Sequence, residues 1–453
     1  MQPLPKEFEE QMKRLLGEAG FFAYLDALNQ PYTRALRVNL LLRPDGTPPC
    51  PIEGLGAPVP WAKGAYFVEG DARPGLSPLH EGGLFYMQEP SALTAVTALD
   101  PQPGERVLDL CAAPGGKSTQ IAALMAGRGL LCCNEPIPSR AQILSRNIER
   151  MGVRNAVVLS AMPDALAPRF PAFFDRILVD APCSGEGMFR RQPEARDEWD
   201  ADAPRRCADR QMEILAQAAK MLRPGGTMVY STCTFNDTEN EGVLKRFLAL
   251  HPEFSFVPFA LPGLPEAKDG YLHLYPHEMR GEGHFVSRLK KADGSDEADA
   301  PVQGAPQRKA PARAAAKGKA PAPIALPDVF SDAFAPERLY TAGDALWMLP
   351  EGISIERLSG LRVLRTGLLL AHAEGKRSEP DHALAMALRP EEAARTASLT
   401  QTQALAYQAG ETLSLGDLPG GYTLLCCEGV SLGWGKQAGG LMKNHYPKGL
   451  RRR

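Results

Sequence analysis

Residues 106–117 read RVLDLCAAPGGK, an apolar run that leads into a turn of small residues. The run at Arg106–Leu110 has the length and apolar content of a buried strand. Small residues after such a strand let the backbone approach a ligand, and open α/β sheets bind ligands at the carboxyl ends of their strands. The segment therefore predicts a strand, a ligand-binding loop and a helix that begins near Lys117.

Spacing excludes two phosphate-binding motifs in this loop. Gly116-Lys117-Ser118 resembles the end of a Walker motif, but Cys111 occupies the position five residues before Gly116 where that motif needs a glycine. The dinucleotide fingerprint Gly-x-Gly-x-x-Gly does not occur there either. Glu135 closes the next predicted strand, 20 residues after Gly115, where an acid typically contacts ribose hydroxyls. A ribose contact without a phosphate loop favours S-adenosylmethionine over NAD, and an ordinary tight turn is the alternative.

The alternation of strand and helix continues from about residue 83 to residue 291. Further runs of buried-strand type lie at Leu130–Asn134, Ala156–Ser160, Arg176–Asp180 and Thr227–Thr232, with helical patterns at Ser139–Arg150 and Arg205–Leu222. A capping-box pattern at Thr238–Glu241 predicts the start of one more helix. Regular alternation of this kind predicts an α/β fold built on a mostly parallel, doubly wound, Rossmann-like sheet.

Composition sets limits on the class of protein. The chain has 453 residues, 44% of them apolar and 23% charged, which is typical of globular proteins and suggests two to four domains of roughly 100–200 residues each. A net charge of −2 excludes a globally basic chain but leaves room for a local basic patch. No apolar run approaches the ~18 residues of a membrane span, and the first residues do not resemble a signal peptide. We therefore expect a cytoplasmic protein without a membrane partner.

Four segments differ in character. Residues 1–78 predict a small N-terminal α+β domain, with a helix that has Phe8 and Met12 on one face and a strand at Ala35–Leu41. Residues 79–291 hold the α/β pattern. Residues 292–325 are rich in Ala, Pro, Lys and Arg, which predicts a disordered basic linker, either a solvated tether or a weak contact to RNA. Residues 326–453 predict a compact C-terminal domain whose tail, KNHYPKGLRRR, suits either a nucleic-acid surface or a soluble end.

Besides Cys111 in the loop, two of the nine cysteines follow predicted strands. Cys183 comes shortly after Arg176–Asp180, and Cys233 comes directly after Thr227–Thr232. If these strands are neighbours about 4.8 Å apart, both thiols reach the same sheet edge as the loop at Cys111. The other cysteines form neither a Cys-x-x-Cys pair nor a zinc-spaced cluster with histidine, so we expect buried thiols and no metal. A cysteine thiolate is well suited to add to an electron-poor ring, which indicates nucleophilic catalysis.

The motifs together resemble a known family. The stretches LCAAPGGK (110–117), DAPCSGEG (180–187) and STCT (231–234), with RVN (37–39) and QEPS (88–91), are similar to the signatures of the Nop/Sun family of S-adenosylmethionine-dependent RNA cytosine-5 methyltransferases. GEGHF (281–285) and the tail from Leu432 resemble the bacterial ribosomal-RNA branch, which has a C-terminal PUA-like domain. The resemblance implies a class I methyltransferase domain flanked by two RNA-binding domains.

The resemblance also implies a role for each site residue. S-adenosylmethionine would be held by the loop residues Cys111, Ala112, Ala113, Pro114, Gly115, Gly116 and Lys117, together with Glu135 and Asp180. Cys233 would be the nucleophile and Cys183 the thiol that assists product release, while Asp180 contacts the cofactor or the target base. Because DNA cytosine methyltransferases use a Pro-Cys nucleophile, Cys183 is the alternative for that role.

The implied activity is methyl transfer to carbon 5 of cytosine in RNA, with 16S ribosomal RNA as the favoured partner and a monomer as the expected state. Three alternatives stay open: a transfer-RNA methyltransferase, a non-catalytic RNA-binding assembly factor of the ribosome and an NTPase, which the cysteine at position 111 disfavours. One family feature is missing. Where relatives have an acid after the third strand to contact adenine, this chain has Ser160, and Asp164 comes slightly late.

Overall fold

The computed structural model describes residues 3–294, 324–326, 328–329, 336–374 and 377–451. Most of the expected linker, residues 295–323, lies outside the described residues. The α-helices of the described part are α1 (Lys6–Leu28), α2 (Pro78–Glu81), α3 (Thr94–Leu99), α4 (Gly116–Leu124), α5 (Pro138–Arg150), α6 (Pro163–Leu166), α7 (Glu194–Glu198), α8 (Ala203–Met221), α9 (Glu241–Leu250), α10 (Ile355–Leu358), α11 (His382–Ala387) and α12 (Gln401–Ala409). Among these described helices, none is long and apolar enough to cross a membrane.

The strands of the described residues form four sheets. They are β1 (Arg34–Val38), β2 (Leu55–Pro58), β3 (Ala65–Val68), β4 (Phe85–Gln88), β5 (Arg106–Asp109), β6 (Leu130–Asn134), β7 (Ala156–Leu159), β8 (Phe174–Asp180), β9 (Leu222–Thr232), β10 (Phe254–Phe256), β11 (Tyr271–Leu274), β12 (His284–Lys291), β13 (Leu339–Ala342), β14 (Ala345–Met348), β15 (Val363–Arg365), β16 (Leu368–Glu374), β17 (Arg377–Pro380), β18 (Thr396–Ser398), β19 (Gly421–Cys427), β20 (Val430–Ala438) and β21 (Leu441–Asn444).

The central sheet confirms the predicted Rossmann-like α/β fold. Its order is β10-β12-β9-β8-β5-β6-β7-β15, with β11 paired to β12. Strands β5 to β9 run parallel, whereas β12 and its neighbours β10 and β11 are antiparallel. The five strands predicted from sequence are all present, with ends that shift by a few residues. Because β5, β6, β8 and β9 end at one edge, the loops that follow them converge there.

Both faces of this sheet are buried. Alternate residues of one strand point to opposite faces, so Val107 belongs to a core beneath α3, α4 and α5, while Leu108 belongs to a core beneath α8 and α9. The capping box expected at Thr238 is wrong, because α9 begins only at Glu241. The side chain of Glu239 is fully buried and bonds residues of the loop after β8 instead.

The N-terminal segment packs as a helix and a four-stranded sheet of order β2-β3-β1-β4. Strand β4 lies past the boundary expected at residue 78 but belongs to this sheet, because it pairs antiparallel with β1. The predicted helical face is present, with Phe8 and Met12 fully buried against Phe189, Trp199 and Phe235 near the site loops. Asn39 joins the sheet to the α/β domain, since its Nδ2 donates to the carbonyls of Gly83 (2.9 Å) and Met151 (3.0 Å).

The described C-terminal part contains two small sheets, β13-β14-β16-β17 and β18-β19-β20-β21, where one compact domain over residues 326–453 was expected. Between α10 and β16, strand β15 leaves this part and pairs antiparallel with β7, which adds a strand to the central sheet. A shared core also joins the second small sheet to β1 and β4, with Leu425 and Leu432 beside Leu36 and Phe85. The C-terminal part therefore packs on the other two domains rather than hanging from a tether.

Candidate active site

The loop between β5 and α4 forms the walls of two adjoining cavities. The larger cavity, of about 740 Å³, is lined by Cys111, Ala113, Glu135, Asp180 and both thiol-bearing loops. The smaller one, of about 390 Å³, is lined by the loop residues 111–114, 116 and 117, together with residues of β4 and the start of β12. Asp180 and Cys233 line both. Volumes of this size suit a nucleoside and a single base.

Gly115 is the expected loop residue that lines neither cavity. Its φ of +113° lies in the left-handed region that favours glycine. A Cβ there would stand 3.2 Å from Leu144 Cδ1 and 3.4 Å from Asn147 Cβ, both on α5. The glycine thus permits close packing of the loop on α5. From the sequence, we expected Gly115 to keep space open for the ligand. A Cβ at this position would point towards α5 instead, so this expectation is wrong.

Glu135 has the geometry for binding a ribose. Its side chain is buried at the end of β6, Oε1 accepts from the backbone N–H of Ile137 at 2.9 Å, and Oε2 lies 3.3 Å from Arg140 Nη1. Each carboxylate oxygen has a second lone pair, so capacity remains for hydroxyl donors from the cavity. The buried acid and the loop of small residues therefore fit a nucleoside cofactor such as S-adenosylmethionine.

The far wall of the larger cavity replaces the missing acid with apolar groups. Ser160 is buried and its Oγ donates to the Pro136 carbonyl at 3.2 Å. Ile137 and Met162 line the cavity with 49% and 61% of their surface exposed, and Asp164 stands beside them. Apolar side chains in a cavity wall suit the face of a flat base.

Cys183 and Cys233 lie side by side at the junction of the cavities. Their Sγ atoms are 3.2 Å apart, and the backbone N–H of Cys233 donates to Cys183 Sγ at 3.3 Å. The hydrogen bond to Cys233, followed by burial, raises the pKa of the Cys183 thiol well above its usual value. Cys183 therefore stays protonated near neutral pH and can donate to the sulfur of Cys233.

Asp180 and Lys117 form an ion pair beside the thiols. Lys117 Nζ lies 2.8 Å from Asp180 Oδ2, and Ser231 Oγ donates to Oδ1 at 2.8 Å. Burial opposes both charges, but the pair outweighs it, so the pKa of Asp180 is lowered and that of Lys117 is raised. Both groups are charged at neutral pH. Cys233 also raises the pKa of Lys117, which places this cation within electrostatic reach of the sulfur.

Two buried acids hold the thiol loops, and sequence reasoning assigned neither a role. Glu186 accepts from the backbone N–H groups of Phe235 (2.8 Å) and Asn236 (3.0 Å). Glu239 accepts from the Ser184 N–H at 3.0 Å and from its hydroxyl, so it ties the loop after β9 to the loop after β8. Burial raises the pKa of Glu239. The sequence offered one signal that could have identified these acids: each lies within six residues of one of the two cysteines.

A loop of small residues, a buried acid and paired thiols on one edge of a parallel sheet fit an S-adenosylmethionine-dependent methyltransferase. Four family descriptions match the chain in order: the N-terminal domain of 16S rRNA methyltransferase RsmF (residues 4–90), 16S rRNA methyltransferase RsmB/F (96–290), the RsmF rRNA methyltransferase first C-terminal domain (327–388) and the methyltransferase RsmF PUA domain (394–452).

Curated relatives match almost the whole chain. Ribosomal RNA small subunit methyltransferase F of Erwinia tasmaniensis is 34% identical over 464 residues, which cover 98% of this chain and 96% of the relative. The protein of that name from an Enterobacter species is 35% identical over 470 residues, which cover 98% and 95%. The chain therefore belongs to the ribosomal RNA small subunit methyltransferase F family, and the resemblance to the bacterial ribosomal-RNA branch is confirmed.

Solved structures support the fold. A methyltransferase homologue protein from Pyrococcus horikoshii is 30% identical with a TM-score of 0.54, over 63% of this chain and 95% of that one. NSun6 from the same organism, solved with SFG, has a TM-score of 0.54 at 23% identity, over 64% of this chain and 99% of that one. The second likeness concerns the fold alone.

Replacing Gly115 with leucine tests the cofactor loop. A left-handed φ costs an L-residue roughly 1–2 kcal/mol, and the new side chain must also displace Leu144 or the loop. We expect S-adenosylmethionine affinity to fall by more than about tenfold, measured by calorimetry on a folded variant. Gly104→Leu is the matched control, because Gly104 has a φ of +95° with open space at its Cβ. Unchanged affinity in folded Gly115→Leu would contradict the assignment of the loop.

Proposed function

We propose that this chain methylates carbon 5 of a cytosine in 16S ribosomal RNA through a covalent bond between Cys233 and carbon 6, with S-adenosylmethionine as methyl donor. The observation on which this rests is the thiol pair, 3.2 Å apart, at the junction of a nucleoside-sized and a base-sized cavity. The names of the relatives, which specify the small ribosomal subunit, support the choice of RNA.

The residues present account for the bond changes. The Cys233 thiolate adds to carbon 6 and pushes an electron pair into the ring, so that carbon 5 becomes nucleophilic. The proton released by the thiol balances the one that the ring nitrogen acquires, and the charged carboxylate of Asp180 stabilises that protonated nitrogen. Bound S-adenosylmethionine supplies an electrophilic methyl group. A base then removes the carbon 5 proton while the bond from carbon 6 to Cys233 Sγ breaks, and the proton on the ring nitrogen returns to the sulfur, which restores the thiol.

Cys183 stands where a group that assists this elimination must stand, in contact with the leaving sulfur. Attack by Cys183 is the alternative, because the two sulfurs are in contact and either thiol can donate to the other. The target cytosine must be unpaired or flipped out, since neither cavity admits a base within a helix.

We also propose the finer setting of the reaction. The enzyme acts on RNA of the small subunit in the cytoplasm, and it acts as a monomer. The N-terminal domain and the PUA segment, which pack on each other, provide RNA contacts beside the methyltransferase domain. Basic side chains at Lys443 and Lys448 are exposed on the latter.

Bisulfite sequencing of total RNA from cells with and without the gene tests the function. We expect at least one protected cytosine of 16S ribosomal RNA to become convertible when the gene is deleted, and protection to return with the wild-type gene. Loss of protection confined to transfer RNA would instead select the transfer-RNA alternative. No change in any RNA, together with a defect in subunit assembly, would favour the non-catalytic factor.

Alanine variants separate the two thiols. Cys233→Ala cannot add to carbon 6, so turnover and covalent adduct should both vanish. Cys183→Ala should still attack and methylate, then stall before elimination, which leaves a protein–RNA species that survives denaturing electrophoresis and is removed by ribonuclease. Cys207→Ala is the control, since this half-exposed cysteine of α8 lines neither cavity. A trapped species in Cys233→Ala instead would exchange the two roles, and normal turnover in both variants would refute the covalent mechanism.

Charge reversal tests the C-terminal RNA surface. Deletion of residues 326–453 is unsuitable, because it would uncover β7 and the core shared with β1. We expect Lys443→Glu with Lys448→Glu to raise the Michaelis constant for RNA on the order of tenfold and to flatten its dependence on salt, as lost phosphate contacts do. Affinity for S-adenosylmethionine should not change. Lys268→Glu, an exposed lysine of the methyltransferase domain, is the control, and equal effects of both changes would contradict a specific C-terminal surface.

A further inference from the structure

Arg191 lies in the wall of the smaller cavity, on the turn that follows the loop of Cys183. The residue is exposed, and it shares the cavity wall with Asp180 and Cys233. Because an exposed residue of a cavity wall lies where the cavity opens to solvent, Arg191 stands at the mouth of this cavity. None of the roles described above uses its side chain.

The two residues before Arg191 fix the turn that carries it. Phe189 is fully buried and packs on a phenylalanine of α1. The side chain of Arg190 is only 8% exposed, and it donates from Nε and Nη2 to the carboxylate of Glu282 at 2.8 and 2.7 Å. A two-pronged pair of this kind holds its partners in one geometry. Of two consecutive arginines, one thus stabilises the fold while the next is presented at a defined position beside the cavity.

The guanidinium of Arg191 has no hydrogen-bond or ion-pair partner among the described residues. Lys117, the second cation of this cavity wall, is paired with Asp180. The acids of the wall are engaged as well, since Glu282 pairs with the preceding arginine and Glu89 accepts from three backbone N–H groups. The mouth of the cavity therefore carries a free positive charge, which attracts an anion.

We propose that Arg191 binds a backbone phosphate of the target nucleotide and so holds the base in the smaller cavity. This inference rests on the proposed function and assigns the residue that positions the RNA strand at the same site. A flipped-out base that enters the cavity leaves its sugar and phosphate at the mouth. A guanidinium matches two phosphate oxygens with parallel N–H donors, so a rigidly presented arginine is suited to this contact.

The carboxylate of S-adenosylmethionine is the competing anion. Arg191 lines the smaller cavity alone, whereas Glu135, the acid suited to a ribose, lines the larger one. This separation favours the RNA phosphate over the cofactor.

Methyl-transfer kinetics test the assignment. The substrate is 16S ribosomal RNA from cells without the gene, free or in the small subunit, whichever form the wild-type enzyme methylates. With S-adenosylmethionine saturating, kcat/KM for RNA is measured over a range of salt concentrations. Arg191→Gln removes the charge, and we expect it to lower kcat/KM about tenfold and to reduce the slope of log kcat/KM against log salt by about 0.7, as loss of one phosphate contact to a single strand does. Arg191→Lys keeps the charge and should keep the slope.

Arg128→Gln is the matched control. Arg128 is an exposed arginine whose side chain has no partner among the described residues, and it precedes β6 at the edge of the sheet opposite the site. A purely structural role of Arg191 would lower the melting temperature without changing the salt slope. An unchanged slope in Arg191→Gln, or an equal change in Arg128→Gln, would overturn the proposal.

The cofactor provides the second readout. A raised Michaelis constant for S-adenosylmethionine in Arg191→Gln, with an unchanged salt slope for RNA, would assign Arg191 to the cofactor carboxylate and overturn the proposal as well. Absence of methylation by the wild-type enzyme would refute the proposed function itself, whereas normal methylation with an indifferent Arg191 refutes only this assignment.

Discussion

Parallel pairing of β8 with β9 fixes the position of the groups in the site. In this register Asp180 lies opposite Ser231, so the chains leave the sheet together and Cys183 and Cys233 follow within three residues. A slip by one residue would turn Asp180 away from Ser231 and separate the sulfurs. The pairing is stabilised by burial of Ile177, Leu178 and Val179 on both faces of the sheet. The chemistry thus depends on a strand register that the core enforces.

Register alone does not hold two loops in contact, and the buried acids complete the arrangement. A carboxylate removed from water is costly unless hydrogen bonds replace its hydration. Glu186 gains such bonds from the loop after β9 and from Gln11 Nε2 of α1 at 2.9 Å. Glu239 gains them from Ser184 and from Gln211 Nε2 at 2.8 Å. Each acid is satisfied only when the thiol loops adopt this conformation, so the acids select it.

Local sequence patterns predicted those features of the fold that depend on residues close together in the sequence. The five parallel strands and the cofactor loop follow from apolar runs and small-residue turns, and the family motifs led to the correct family. Pairing between strands that lie far apart in the sequence could not be predicted from local patterns. β4 joins β1 and β15 joins β7 because of contacts about 50 and 200 residues apart in sequence, and no periodicity specifies a partner.

The distant strand β15 also bears on how the enzyme handles RNA. It covers the open edge of β7, and the ion pair between Arg365 and Glu149 joins it to α5, the helix on which the cofactor loop packs. A second ion pair, Arg154 with Glu392 at 2.5 Å, joins the same region to the start of the PUA segment. Loss of one partner from such a partly buried ion pair is costly, because it leaves the other charge buried without a partner. The C-terminal part is therefore coupled to the cofactor loop, and through it to the site at Cys233, by packed structure.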